Sequence, residues 1–154
     1  MKNLKLWLTN NKSVPRWFAF ALFTVALVGL ADAGFLAFEH LRGVPPPCGG
    51  TSQCEVVTTS DYATILGVPV AYLGTLYYLF IVVLCVLYFD KKTPAWIRLG
   101  SLATPIGLIM SLWFVGVQAF ILHAFCYYCL GSAATSTTLA ILSAIFWKKD
   151  QTMV

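Results

Sequence analysis

The hydrophobic positions of the chain fall into four long, almost uncharged stretches that are separated by shorter polar connections. They cover residues 17–38, 68–89, 99–122 and 126–147. A helix rises about 1.5 Å per residue, so roughly 20 apolar residues cross the hydrocarbon layer of a bilayer. The pattern predicts an all-α fold, an integral membrane four-helix bundle that forms a single domain over residues 1–154, with a large loop at about residues 39–67 between helices 1 and 2.

The composition agrees with a membrane location. Of the 154 residues, 59% are hydrophobic and only 10% are charged, whereas about 25% of the residues in a soluble domain are charged. The formal net charge of +4 does not indicate a nucleic-acid partner, because the basic residues are spread along the chain in a membrane pattern. We therefore expect no nucleic acid to bind.

The basic residues also predict the orientation in the cell membrane. Nine of the ten lysines and arginines lie near the chain ends or the connection between the second and third spans, and only Arg42 lies elsewhere. Cytoplasmic segments of membrane proteins carry an excess of such residues. We therefore predict cytoplasmic N- and C-termini and an extracytoplasmic loop at residues 39–67. The nine residues are Lys2, Lys5, Lys12, Arg16, Lys91, Lys92, Arg98, Lys148 and Lys149.

The first apolar stretch also permits a second interpretation. Basic residues, an apolar run and Ala31-Asp32-Ala33 imitate a secretory signal with its cleavage site. The apolar run continues past Ala33 to Phe38, and this length suits a retained span better than a cleaved signal. We expect the segment to be retained.

The loop at residues 39–67 is the longest connection and the one with room for chemistry. It begins with Gly43-Val44-Pro45-Pro46-Pro47, which resists helix formation and favours an extended path. Thr58-Thr59-Ser60-Asp61 offers N-cap residues, and Gly67 offers a C-terminal stop. We predict a short interfacial helix at residues 62–66 between them.

The five cysteines divide by position. Cys48 and Cys54 lie on this loop, and Cys126 and Cys129 form a C-x-x-C motif at the start of the fourth span. Both pairs lie on the predicted extracytoplasmic side, where disulfides persist. Cys85 lies within the second span and has no partner nearby in the sequence, so we predict that it is a small core residue.

A C-x-x-C motif at the start of a helix has the chemistry of a redox centre. Residues i and i+3 lie about 5–6 Å apart on one face, within the reach of a disulfide. The helix N-terminus favours the thiolate, which is the attacking species in disulfide exchange. A structural disulfide is the alternative, but a bond within one helical turn constrains the chain little.

We predict no metal site from these cysteines. Structural zinc sites prefer two to four residues between paired ligands, and five residues separate Cys48 from Cys54. Attachment of haem requires a histidine directly after the second cysteine of the motif, whereas Leu130 follows Cys129.

Two dithiol pairs at one membrane surface can exchange electrons through mixed disulfides. The chain shows no flavin, nicotinamide or haem motif, so a lipid-soluble quinone of the ubiquinone or menaquinone type is the natural electron acceptor. Cys129 lies about 4.5 Å deeper along the helix axis than Cys126. We therefore expect Cys129 to meet the quinone ring.

The same residues resemble a known family. The loop segment Cys48-Gly49-Gly50-Thr51-Ser52-Gln53-Cys54 is followed by Ser60, by Gly67-Val68-Pro69-Val70-Ala71 and by Cys126-Tyr127-Tyr128-Cys129. This ordered set is similar to vitamin K epoxide reductase homologues of the bacterial and archaeal branch, over the whole transmembrane core. The resemblance implies a thiol:quinone oxidoreductase that supports disulfide formation in exported proteins.

The resemblance also implies roles for individual residues. Cys48 would meet a thioredoxin-fold (DsbA-like) partner, Cys54 would exchange with Cys126, and Cys129 would reduce the quinone. Many prokaryotic relatives carry a fused thioredoxin-like domain, which these 154 residues do not show, so we expect a separate partner protein. Ala133 stands where vertebrate members have a quinone-bonding tyrosine, and their asparagine has no evident match around Val70. Activity on vitamin K epoxide is therefore not implied.

Other polar and aromatic residues are further candidates for the site. Ser60 either positions the loop by a hydrogen bond or caps a short helix. Asp32, an ionisable group within a span, is a candidate for steadying the loop or relaying a proton. His123 is either a proton donor to the quinone or an ordinary interfacial histidine. Candidates for the quinone pocket are Trp113, Phe114, Phe125 and Ala133, although aromatic side chains also form interfacial belts and helix cores.

Two other functions fit the composition. A DsbB-type disulfide-generating enzyme has similar chemistry, but its C-x-x-C lies in the first outer loop, so the late position of Cys126 and Cys129 disfavours it. A non-enzymatic membrane scaffold with structural disulfides is the second alternative. Consumption of quinone in the presence of a reduced thioredoxin-fold protein would separate the enzyme from the scaffold.

Overall fold

The computed structural model of the protein describes residues 14–48 and 53–151, and the backbone alone at Gln151. The basic residues Lys2, Lys5 and Lys12 and the motif residues 49–52 lie outside the described residues. All four loop and motif cysteines lie within them.

The described residues form five α-helices and one small antiparallel hairpin, numbered here in chain order. The helices are α1 (Arg16–Arg42), α2 (Gln53–Thr58), α3 (Val70–Lys91), α4 (Pro94–Val117) and α5 (Tyr127–Gln151), and the strands are β1 (Thr64–Ile65) and β2 (Val68–Pro69). A 3₁₀ turn at Asp61–Ala63 precedes β1, and a π-helical turn at Gln118–Leu122 continues α4.

Four of the described helices are long and apolar enough to cross a membrane, namely α1, α3, α5, and α4 together with its π-helical turn. α1 packs against α3 and α5, and α4 also packs against α3 and α5. α1 and α4 therefore lie diagonally across a four-helix ring. The predicted all-α membrane bundle is confirmed.

The main apolar core fills the half of the bundle that lies away from the loop cysteines. Phe18 of α1 stacks on Phe146 of α5 with ring centroids 4.4 Å apart. Cys85 is fully buried in the same core, as the sequence predicts. Around these residues pack Leu22, Ala26, Ile81, Ile97 and Leu139.

α1 continues unbroken past Ala33 as far as Arg42. Gly43 ends it in the left-handed conformation (φ 67°), and its N–H donates to the carbonyl of His40 while the N–H of Val44 donates to that of Glu39. This is the usual way in which a glycine ends a helix. The chain then enters the proline segment that leads to Cys48.

The helices α4 and α5 extend beyond the predicted boundaries, and a buried ion pair joins the added ends. α4 begins at Pro94 rather than at residue 99, with proline in the first turn, where its missing N–H costs nothing. α5 continues to Gln151 rather than ending at residue 147. Arg98 and Asp150 are buried and lie 3.5 Å apart, so these charges belong to packed helix ends rather than to a connection and a tail.

The short helix predicted at residues 62–66 is wrong. The helix of this loop is α2, which lies upstream, and the predicted segment forms a 3₁₀ turn followed by β1. Leu66 (φ 53°) and Gly67 (φ 80°) both adopt left-handed conformations, which a two-residue hairpin turn requires and a helix does not allow. The loop therefore turns back sharply before it enters α3.

Tyr78 joins three helices. Its buried hydroxyl donates to the carbonyl of Ser132 (2.7 Å) and lies 2.8 Å from Oγ1 of Thr135, both on α5. Its ring lies against Gly29 of α1, where a Cβ would overlap the ring carbons. The glycine thus permits α1 to approach α3 closely, and the hydroxyl ties α3 to α5.

Replacing Tyr78 by phenylalanine is expected to lower the free energy of unfolding by about 1–2 kcal/mol, because the hydrogen bonds from its hydroxyl to Ser132 and Thr135 are lost. Unfolding in detergent would measure the change. Tyr72→Phe on the same helix is the control, since the Tyr72 ring packs against His40 near the surface. Equal stability of the two variants would show that the Tyr78 hydroxyl does not hold the bundle together.

Candidate active site

The two cysteine pairs meet at one end of the bundle. Here α1 and α4 end, α3 and α5 begin, and the loop folds over them. We call the buried group at this end the cysteine cluster. It consists of Cys48, Cys54, Val57, Ala124 and Cys126, with Phe114, Leu122, Tyr128 and Cys129 packed around it.

Cys48 and Cys54 form a disulfide with their Cα atoms 5.9 Å apart. Cys54 lies in the first turn of α2 and is fully buried, whereas Cys48 retains 8% exposure. Hydrogen bonds hold both in place: Thr58 Oγ1 donates to the Cys54 carbonyl (2.8 Å), and the Tyr128 hydroxyl donates to the Pro47 carbonyl (3.3 Å). The loop disulfide therefore lies directly against the start of α5, with Cys48 nearer the surface.

Cys126 occupies the N-cap position of α5. Its carbonyl accepts the first helical hydrogen bond, from the N–H of Leu130 (3.0 Å). Its Sγ accepts the N–H of Cys129 (3.4 Å), as the side chain of a capping residue does. Cys126 and Cys129 are free thiols in this structure, so the motif is reduced while the loop pair is oxidised.

The pKa of the Cys126 thiol lies below its ordinary value. The largest cause is a hydrogen bond with the Cys129 side chain, and the backbone N–H groups of Cys129 and Tyr128 act in the same direction. Burial and the charge of Asp32 oppose the effect. The start of α5 thus favours the thiolate of Cys126, which is the reactive form.

Gln118, which is not among the candidates predicted from the sequence, holds the short segment between α4 and α5. Its fully buried side chain accepts the N–H of Cys126 through Oε1 (2.8 Å), and its carbonyl accepts the N–H of Ala124 (3.2 Å). These bonds satisfy backbone donors that no helix uses. In the sequence, the role of Gln118 is indicated only by a single glutamine within an apolar run. Such a glutamine does not by itself show whether its side chain positions the backbone.

A cavity of about 610 Å³ lies inside the bundle next to the cysteine cluster. All four long helices and the loop contribute to its walls, which are mostly apolar. Cys129 lines this cavity, whereas Cys126 does not. The lining includes Leu36, Pro46, Tyr77, Tyr78, Met110, Phe114, Val115 and Ser136.

Four polar side chains of the cavity wall differ in their hydrogen-bond partners. Ser111 and Ser136 hydrogen-bond to each other (2.6 Å). The Asp32 Oδ2 and Tyr77 hydroxyl oxygens are buried and find no hydrogen-bond partner among the described residues. An apolar cavity of this size with a few polar groups suits a lipid-soluble quinone, which offers a flat ring and two carbonyl oxygens.

The structure brings some predicted site residues to the cavity. Asp32 lines it opposite Gly131 of α5, where a Cβ would lie 3.6 Å from Oδ1. Phe114 and Ser60 line it too. The Ser60 hydroxyl donates to the Val57 carbonyl (2.8 Å) and makes no capping bond to the turn that follows. A proton relay through Asp32 stays a prediction.

Other predicted residues lie away from the cavity lining. Trp113 and Phe125 are exposed on the outside of the bundle, and Ala133 is half-buried in α5 with its carbonyl bound by Ser136 and Thr137. His123 is exposed in the left-handed conformation at the end of the π-helical turn. The polar side chains of the cavity wall thus come from all four long helices and the loop, rather than from Trp113, Phe125 or His123.

Comparison with known proteins identifies the family of the chain. The model of the Vitamin K epoxide reductase family matches residues 9–144. No curated protein matches the chain closely enough to count as a relative. Because the match covers well over half of the 154 residues, the chain belongs to the vitamin K epoxide reductase family and is a membrane oxidoreductase.

The pH titration of Cys126 tests the geometry of this site. In a Cys48→Ala, Cys54→Ala, Cys85→Ala background, only Cys126 and Cys129 carry thiols. We expect the first thiolate to form with a midpoint below about 8.5, the ordinary value for cysteine. Adding Cys129→Ala should raise that midpoint, since it removes the largest stabilising hydrogen bond of the Cys126 thiolate. Ultraviolet absorbance of the thiolate would measure both titration midpoints. An equal midpoint with and without Cys129 would contradict the assigned hydrogen bond between Cys129 and the Cys126 thiolate.

Proposed function

We propose that this family member is a thiol:quinone oxidoreductase that passes electrons from a thioredoxin-fold partner through the two cysteine pairs to a membrane quinone. One observation carries the proposal. The C-x-x-C motif has one thiol in the buried cysteine cluster against the loop disulfide and the other in the wall of the cavity. Such a motif can exchange with the loop on one side and with a hydrophobic oxidant on the other.

The partner reaction involves the loop pair. A partner thiolate attacks Cys48 Sγ, which is the more exposed sulfur of the loop disulfide, and Cys54 leaves as a thiolate. The second partner thiol then attacks the mixed disulfide, so the partner is oxidised and Cys48 and Cys54 are both reduced. Two electrons and two protons thereby enter the loop pair.

Exchange between the pairs occurs within the cysteine cluster. When the motif is oxidised, the Cys54 thiolate attacks Cys126 Sγ, and Cys129 leaves as a thiolate toward the cavity. Cys48 then attacks Cys54, which restores the loop disulfide and releases Cys126. The result is an oxidised loop pair with a reduced motif.

The motif finally delivers its electrons to the cavity. A quinone bound there accepts two electrons and two protons and leaves as the hydroquinone, while Cys126 and Cys129 form a disulfide. Cys129 faces the cavity and is placed to act on the quinone. The lowered pKa of Cys126 supplies the thiolate that closes the disulfide.

Substitutions of the two pairs should separate their roles. Replacing Cys48 or Cys54 by alanine should abolish oxidation of a thioredoxin-fold partner yet preserve quinone reduction driven by a small dithiol, which reaches the motif directly. Cys85→Ala, in the remote core, is the control and should retain both activities. Loss of both activities in the loop variants would show that the loop pair is structural and would contradict the proposed route.

The distribution of charge supports an extracytoplasmic position for the site. Of the described basic residues, only Arg42 lies at the cysteine end of the bundle. The others lie at the opposite end, on the first turns of α1 and α4 and the last turns of α3 and α5; they are Arg16, Lys91, Lys92, Arg98, Lys148 and Lys149. Cytoplasmic ends of membrane helices carry such residues.

An impermeant thiol reagent tests this orientation in intact cells. After mild reduction, Cys48 should react, because it is the loop cysteine nearest the surface. Lys149→Cys in a background without the other cysteines should react only after lysis, which makes it the matched control for the opposite end. Labelling of Cys48 only after lysis would place the site on the cytoplasmic side.

A further inference from the structure

Tyr77 carries an unexplained buried hydroxyl beside the cavity. It lies on α3, its side chain lines the cavity, and its hydroxyl oxygen is buried. Among the described residues that oxygen has no hydrogen-bond partner. A buried hydroxyl without a partner lowers the stability of a fold, so a role in binding a ligand would account for its presence.

The neighbouring Tyr78 shows that a buried tyrosine hydroxyl on α3 can find hydrogen-bond partners within the bundle. The Tyr78 hydroxyl bonds to two groups of α5, Ser132 and Thr135. The Tyr77 ring packs edge-on against the Tyr78 ring, with centroids 5.0 Å apart. The two rings belong to one packed unit, but among the described residues only the Tyr78 hydroxyl has a hydrogen-bond partner.

Gly107 of α4 determines where the Tyr77 ring lies. A Cβ at Gly107 would overlap ring carbons and the hydroxyl of Tyr77. The ring therefore packs directly on the backbone of α4 and is held beside the cavity. Its position follows from a close contact between two helices rather than from a free rotation of the side chain.

We propose that the Tyr77 hydroxyl donates a hydrogen bond to a carbonyl oxygen of the quinone that binds in the cavity. The inference rests on the proposed function and names a binding residue for it. A phenol is a good donor, and a quinone carbonyl is an acceptor without a proton of its own. In a largely apolar pocket, a single well-placed donor fixes the orientation of the ligand.

The same hydrogen bond assists the reaction. Negative charge develops on the quinone oxygen as electrons arrive from the motif, and a donor already in place stabilises that charge without reorganisation.

The test compares tyrosine variants by quinone binding and by stability. With a short-chain ubiquinone analogue as the probe, Tyr77→Phe should raise the dissociation constant about tenfold, the value of one hydrogen bond of roughly 1.4 kcal/mol. Its unfolding in detergent should be unchanged or occur at a higher temperature, because the unpartnered hydroxyl is gone. Tyr72→Phe, outside the cavity lining, should alter neither property.

Infrared spectra and a second pair of variants add independent readouts. The carbonyl band of the bound quinone should move to higher frequency in Tyr77→Phe, since the hydrogen bond is lost. Gly107→Ala should weaken binding by displacing the ring, whereas Gly116→Ala on the same helix, with open space at its Cβ position, should not.

The outcomes separate this inference from the proposed function. If the wild-type protein binds and reduces the quinone but Tyr77→Phe binds it equally well with an unshifted carbonyl band, the role of Tyr77 is overturned while the proposed function stands. Destabilisation of Tyr77→Phe to the extent of Tyr78→Phe would also overturn it, by showing an internal partner for the hydroxyl. If the wild-type protein binds no quinone, the proposed function fails and this inference fails with it.

Discussion

Backbone groups near the hydrocarbon layer need partners, and the start of α5 is arranged around that constraint. Between the π-helical turn and α5 the chain leaves regular helix, and its N–H groups at Ala124 and Cys126 are bound by Gln118. Non-helical backbone at this depth is tolerated only where protein groups or water satisfy it. The result is a rigid corner that fixes Cys126 as the cap of α5 and Cys129 one turn further into the bundle.

This corner gives one dithiol two different environments. Cys126 lies among buried loop residues beneath the Cys48–Cys54 disulfide, and Cys129 lies in the wall of a cavity large enough for a quinone ring. In the proposed route, disulfide exchange and quinone reduction use neighbouring sulfurs, so the chain need not carry electrons over a distance.

The sequence predicted the features that depend on length, hydropathy and spacing. Four apolar stretches of spanning length and the C-x-x-C motif required no knowledge of packing. The predictions from the sequence were wrong where contacts between residues far apart in the chain determine the local structure. The helices α4 and α5 continue into segments that looked like polar connections, where Arg98 and Asp150 form a buried pair. Leu66 adopts a left-handed conformation, and the expected helix is a hairpin. Nothing in the adjacent tyrosines 77 and 78 showed which hydroxyl would find a partner.

The path between the two pairs is the central claim, and Cys129→Ala tests it most directly. Without Cys129, the mixed disulfide at Cys126 cannot be resolved by the motif and should accumulate. After alkylation of free thiols, mass mapping should find Cys54 joined to Cys126, with Cys48 free or joined to a partner, since Cys54 is fully buried in the same cluster as Cys126. A dominant link between Cys48 and Cys126 would contradict the account and exchange the roles of the two loop cysteines.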